Sequence, residues 1–218
     1  MSRGICFVVS QTEEIYSSDK NISCHESIID EHNIHDEPMK NIVRVKMLPK
    51  GDLFSTQSDD WKFSINMANH PNWFTENKLK FEDKCYKKLW SIISNWKKNN
   101  RIDGSLSLRK TDIKSLGNLE SVGGSLDLSE TNLEYLGLLN SVGGSLDLFN
   151  SKITYLYYLQ HVGKHLNIRK TKIPCISINK LKSIGENLYV CIEQSTNIKD
   201  NLVKGCIEVW HDNKMYNV

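Results

Sequence analysis

Cys24 and His25 stand side by side, and Asp30, Glu31, His32, His35 and Asp36 follow closely behind them. A thiolate beside an imidazole base is the equipment of nucleophilic hydrolysis, and the two groups need only meet in space. The same residue types also ligate metals, but a metal site wants three or four ligands converging from fixed directions. On a helix His25 and His32, seven residues apart, share a face, while Cys24 lies beside neither in the way a nucleophile requires. The chain has no H-E-x-x-H run, no cysteine knuckle and no GxxxxGK[ST] phosphate loop, and its Gly-Gly pairs precede neither a helix nor a lysine. A solvent-facing helix is expected here. The alternative is an enzyme or nucleotide-binding module that uses Cys24, His25 and His32.

A second group of polar residues is spaced regularly. Ser107, Asp127, Asp147, Asn167 and Tyr189 each stand between two aliphatic residues. They are flanked on one side by Arg109, Ser129, Phe149 and Arg169, and on the other by Ser105, Ser125, Ser145 and His165. If each aliphatic pair is a strand, the intervening residues form one exposed column. Arg109, Asp127, Asp147, Phe149, His165, Asn167, Arg169 and Tyr189 are the candidate binding residues, because arginines and aromatics on a flat face are the usual anchors for a protein partner. Asp127 above Asp147 supplies two carboxylates without a third ligand, too few to specify a cation.

The element that positions this column is a repeat. The octet SVGGSLDL occupies 121–128 and again 141–148. Aligned on it, the pairs Leu106/Leu108, Leu126/Leu128, Leu146/Leu148, Leu166/Ile168 and Leu188/Val190 recur at intervals of 20, 20, 20 and 22. Further apolar residues follow at every third position, as in Leu133, Leu136, Leu139 and Val142. LxL has the period of a strand with both leucines on one face. The every-third spacing fits an irregular or 3₁₀-like return path. Val-Gly-Gly-Ser is read as the reversal that closes each coil, with glycine supplying positive φ. Thr111, Thr131, Ser151 and Thr171 are placed to satisfy backbone groups as the chain leaves the strand. One such turn cannot bury its own apolar side, so the turns must stack, with their strands in a parallel ladder.

The unit LxLxxTxLxxLxxLxxVGGS resembles the leucine-rich repeat family over residues 102–192, with Thr or Ser where that family's LxLxxNxL core carries asparagine. The VGGSLDL wording is similar to short repeats of bacterial, bacteriophage and large-virus proteins. The resemblance implies a solenoid that binds other proteins and, for a viral chain, a host protein as partner.

Before the repeats, Ile5–Val9 and Glu13–Ser17 suggest a hairpin, Ser23 a helix cap, and Asn41–Met47 and Trp61–Ile65 half-buried strands. A long amphipathic helix is expected over 75–98, with Phe81, Cys85, Leu89, Ile92, Ile93 and Trp96 along one stripe. The order ββαββα favours an α+β fold with a mainly antiparallel sheet, in which Trp61, Phe63, Trp73 and Phe74 pack between sheet and helix. The stretch DDWKFSINMANHPNWF resembles an N-terminal module of some phage and bacterial repeat proteins. The expected organisation is therefore an α+β domain over 1–100, a solenoid of about five strands over 101–190, and a C-terminal cap over 191–218 that includes a closing strand over 206–210 with Ile207 and Val209 on one face.

Net charge is +2, with 28 basic and 26 acidic residues divided almost evenly between the two parts. Glu76, Glu82 and Asp83 interrupt the helix lysines Lys80, Lys84, Lys87 and Lys88. No basic excess marks a nucleic-acid partner. No apolar run is long enough to span a bilayer, and the polar N-terminus does not read as a secretory signal, so a cytoplasmic protein is expected. Cys6, Cys24, Cys85, Cys175, Cys191 and Cys206 show no framework spacing and are expected as reduced, mostly buried thiols. No cofactor is implied. The reading is a non-enzymatic protein-binding protein, with the enzyme above and a self-associating structural protein as alternatives.

Overall fold

Alternating and continuous apolar runs build the first layer. Ile5–Ser10 (β1), Ile15–Tyr16 (β2), Ile42–Pro49 (β3) and Trp61–Ile65 (β4) form an antiparallel sheet in the order β2-β1-β3-β4. The computed structural model describes residues 3–35, 41–65, 70–199, 201–211 and 214–217. Asp36 of the His/Asp cluster, residues 66–69 of the aromatic stretch and parts of the expected cap (200, 212, 213 and 218) lie outside the described residues.

β1 is buried on both sides. One face meets Ile28 of the helix His25–Glu31 (α1), in a small cluster with Cys6, Val8 and Ile42. The other face sends Ile5, Phe7 and Val9 into the main core. After a short helix at Asn72–Thr75 (α2), the helix Lys78–Asn99 (α3) adds Phe81, Cys85, Leu89, Ile93 and Trp96 to that core. Ile92 is only partly buried at its edge. Trp61 and Phe74 are buried, with Phe63 and Trp73 packed partly exposed against them. Ser23 does not cap α1; the cap position is Cys24.

From residue 101 the chain coils into a parallel-strand solenoid of about five turns. Leu106–Ser107 (β6), Leu126–Asp127 (β8), Leu146–Asp147 (β10), Leu166–Asn167 (β12) and Leu188–Cys191 (β14) stack in parallel and in register, leucine upon leucine. The strand Ile207–His211 (β15) continues this ladder in parallel, and Lys214–Asn217 (β16) closes it antiparallel. Each central turn buries its apolar set almost completely: Leu126, Leu128, Leu133, Leu136, Leu139 and Val142 are at most 1% exposed. Burying one such side chain contributes about 1.5–3 kcal/mol. The core runs without a break from Ile5 to Val209.

Two expectations are corrected by this coil. The valine of Val-Gly-Gly-Ser is not part of a reversal but ends a strand: Arg101–Ile102 (β5), Ser121–Val122 (β7), Ser141–Val142 (β9), His161–Val162 (β11) and Ser183–Ile184 (β13) form a second parallel ladder. Nor do the Gly-Gly pairs supply positive φ. The left-handed positions of the repeated turns are Lys110, Glu130, Asn150 and Lys170, just after each leucine strand, and Gly117, Gly137 and Tyr157 on the return path. The Gly-Gly pairs instead permit close stacking, since a Cβ on Gly143 would lie 2.2 Å from the carbonyl oxygen of Gly123 one turn below.

The threonine positions behave as expected with one exception. Thr111, Thr131 and Thr171 donate their hydroxyls to the carbonyls of Leu108, Leu128 and Ile168 at 2.6–2.7 Å. The buried Ser151 hydroxyl has no partner among the described residues. The N-terminal end of the ladder is covered by residues 20–23: Ser105 donates its N–H to Lys20 and accepts from Ile22, and Ser23 bonds Ser107.

Candidate functional site

The candidate ladder residues do share one face, but much of their hydrogen-bonding capacity is spent within it. Asp127 accepts from the Ser107 hydroxyl at 2.8 Å and from the N–H and hydroxyl of Ser129. Asp147 accepts from the Phe149 N–H at 2.9 Å and the Asn167 side chain at 3.1 Å. Asn167 in turn accepts from Arg169 Nε at 3.0 Å. Burial is the main influence that holds the Asp147 carboxyl above its ordinary range, against the lowering effect of the Phe149 N–H. Carboxylates already occupied by donors are poor material for a cation site, and no group of three or more His, Cys, Asp or Glu ligands gathers among the described residues.

The two ends of the face differ. At the first turn Arg109 is paired with Glu130, which Lys110 also contacts at 3.0 Å. At the far end the side chains converge. The Arg169 guanidinium lies over three rings, 4.3 Å from the centre of Trp210, 5.5 Å from Phe149 and 5.7 Å from Tyr189. His165 tilts against Tyr189 and places Nε2 2.8 Å from Glu186, while its Nδ1 accepts from the Asn187 N–H. Phe149, Arg169 and Trp210 line a shallow cleft of about 370 Å³, with Lys170, Glu193 and His211 at its margin. The Trp210 indole N–H is shielded from solvent and has no partner among the described residues.

Structure thus unites Phe149, Arg169 and Tyr189, seats His165 beside them, and leaves Arg109 apart. Trp210 was read from sequence only as part of a closing strand. Its place in the aromatic cluster follows from the parallel docking of β15 on β14, which brings Trp210 opposite Cys191.

The Cys24 region is a surface helix, as expected, with Glu26, Asp30, Glu31 and His32 exposed, but His25 does not share that exposure. His25 is buried, with Nε2 2.9 Å from the Val45 carbonyl oxygen, and burial holds its pKa below the usual histidine value. His32 is engaged elsewhere, with Nε2 3.1 Å from the Ser17 carbonyl. A shallow cleft of about 360 Å³ gathers Cys24 and His25 with Arg3, Lys46 and Arg109, without His32. Burial pushes the Cys24 thiol up, but hydrogen bonds from the Ser27 side chain and from the N–H groups of Ser27 and Glu26 more than offset it, leaving the thiol below its ordinary pKa. Of the six cysteines, all unbonded, Cys6 and Cys85 are buried, Cys206 is exposed and the rest are intermediate, so the expectation of mostly buried thiols is corrected.

The helix lysines are partly neutralised: Lys80 and Lys84 both bond Glu13, and Lys87 pairs with Asp83. No helix among the described residues is long and apolar enough to cross a membrane. Comparison with protein-family models, with curated proteins and with solved structures finds no match to this chain.

Proposed function

We propose that this is a non-enzymatic interaction protein whose short leucine-rich-repeat solenoid binds a protein partner through the exposed ladder face. The observation that carries the reading is the cluster of Arg169 with Phe149, Tyr189 and Trp210 beside a shallow cleft. Arginine and large aromatics are the residues that dominate binding energy at protein interfaces, and here they are packed against one another. The in-phase LxL strands support a leucine-rich class, and the VGGSLDL likeness supports a viral or phage origin with a host protein as partner.

The rival reading, catalysis at Cys24, has less support. His25 directs one ring nitrogen to a backbone carbonyl and His32 lies outside the cleft, so neither of these histidines is arranged as a base against the thiol.

The test is affinity capture from lysates of candidate hosts, followed by direct titration of the purified partner. A Phe149→Ala, Arg169→Ala double variant should weaken that titration by about thirtyfold or more, the loss expected of an interface centre. Absence of any partner, or equal binding by the double variant, would overturn the proposal.

A further inference from the structure

The return path of the solenoid carries a feature that packing does not require. Gly117 and Gly137 occupy equivalent positions in successive turns with φ of 58° and 60°, and the third turn places Tyr157 there with φ of 35°. A bulky residue is disfavoured in that region, and such positions cluster where a side chain is wanted for function. The neighbours Leu156 and Leu159 fill the core, while Tyr157 is 52% exposed. Its ring lies 6.1 Å from that of Tyr135 and 5.5 Å from that of Tyr155, both about half exposed. The three rings make an exposed aromatic patch on the return path.

Tyr135 also lines a groove of about 420 Å³ with Ser151, Lys152, Lys170 and Lys172, in which Glu134 is the one acidic wall. Ser151 is 94% buried, counting from a residual exposure of 6%, and its hydroxyl lacks a partner where Thr111, Thr131 and Thr171 each have one. An unused O–H donor in a groove lined by three lysines, one of which (Lys170) rests its ammonium on Phe149, is suited to an oxyanion.

We propose that this return face is a second binding surface, and that it takes an acidic peptide segment of a protein partner. A carboxylate enters the groove toward Lys152, Lys172 and the Ser151 hydroxyl, and an adjoining apolar side chain rests on Tyr135, Tyr155 and Tyr157. Charge complementarity selects the acidic segment. The rings tilt onto one another, at 46° and 51°, and are not spread in parallel for successive stacked bases, which favours a peptide over single-stranded nucleic acid. The surface is separate from the Arg169 cluster, although Lys170 reaches both, so tests at Lys152, Lys172 and Tyr157 leave the ladder face untouched.

The experiment is fluorescence anisotropy on the full chain with a labelled Glu-Glu-Leu-Glu-Glu peptide, its Gln-for-Glu counterpart and a single-stranded oligothymidylate. The acidic peptide should bind, and the glutamine peptide should bind at least about tenfold more weakly. Lys152→Glu with Lys172→Glu should cost about tenfold or more, as should Tyr157→Gly, whose thermal midpoint should be equal to or above that of the wild type. Ser151→Thr, in which the hydroxyl returns to the Leu148 carbonyl as in the other turns, should also weaken binding, and Tyr189→Ala, on the ladder face and outside the groove, should leave it unchanged. Equal binding of the glutamine peptide, preference for the oligonucleotide, or no binding of any probe at about 1 mM would overturn the proposal.

Discussion

The Ser23 hydroxyl donates to the carbonyl of Ser107 at 3.1 Å and accepts from the Ser107 N–H at 2.9 Å. One side chain thereby satisfies both backbone groups of a strand residue at the first edge of the ladder, where in later turns the preceding strand bonds the equivalent carbonyl, as the Leu108 N–H does that of Asp127. Ser23→Ala removes both bonds at a position only 7% exposed. The expected cost is about 1–3 kcal/mol, because the Ser107 groups lose their partners. Thermal or urea unfolding would register it as a midpoint lower by several degrees, and an unchanged midpoint would show that this contact does not seal the edge.

The two kinds of glycine in the repeat should respond differently to alanine. At Gly143 the added Cβ meets the backbone oxygen of Gly123 at 2.2 Å, so whole turns must separate. At Gly137 the nearest atom is 3.4 Å away and the penalty comes from the left-handed backbone alone. Gly143→Ala is expected to cost at least about 3 kcal/mol and Gly137→Ala about 1 kcal/mol. Equilibrium unfolding of the two variants side by side tests the order, and the reverse order would mean that turn geometry, not stacking distance, requires the glycines.

Asp147 gives a pH signature. Its carboxyl is raised above the unfolded-state value, chiefly by burial. The folded state therefore binds the proton more tightly, so this group's contribution to stability grows as pH falls through its raised range and is unfavourable once both states are ionised. Asp147→Asn keeps an Oδ1 acceptor for the Phe149 and Asn167 donors, both of which use the same oxygen. The variant should melt about 1–3 °C above the wild type at pH 7, with the difference closing toward acid pH. A variant less stable at pH 7 would show that the charge itself supports the ladder, through Arg109 or Arg169.

Cys24 should be the early-reacting thiol. Its hydrogen bonds from Ser27 and Glu26 favour the thiolate, and the side chain is partly accessible. Iodoacetamide labelling followed by peptide mass mapping should give a pH–rate midpoint for Cys24 below the free-cysteine value of about 8.5. Cys6 and Cys85, whose thiols burial pushes up to about 12, should stay unlabelled in the folded protein. A Cys24 midpoint at or above that of free cysteine would remove the thiolate from consideration.

Binding predictions for the two faces attach to different residues. Loss at Phe149 and Arg169 with retention at Lys152 and Tyr157, or the converse, separates the ladder face from the return face in a single set of variants.

How far the residues could be read in advance follows from the range of the interactions involved. Periodicity is local, so the in-phase leucines determined the coil, its roughly twenty-residue turn and the identity of its inward side chains; the stripe from Phe81 to Trp96 likewise determined the long helix. The column from Ser107 to Tyr189 was legible for the same reason, since strand alternation assigns a side to each residue. What depends on distances between turns was not legible. Ser121–Val122 becomes a strand only because Ser141–Val142 stacks upon it, and Gly143 must be glycine only because Gly123 lies directly beneath. Trp210 reaches Arg169, and Ser23 reaches Ser107, across 41 and 84 residues of chain. Sequence by itself thus determined which residues face in and which face out along each turn. Only tertiary structure decided which outward residues meet, because that depends on how separate segments dock, and docking is set by the shape of the assembled core.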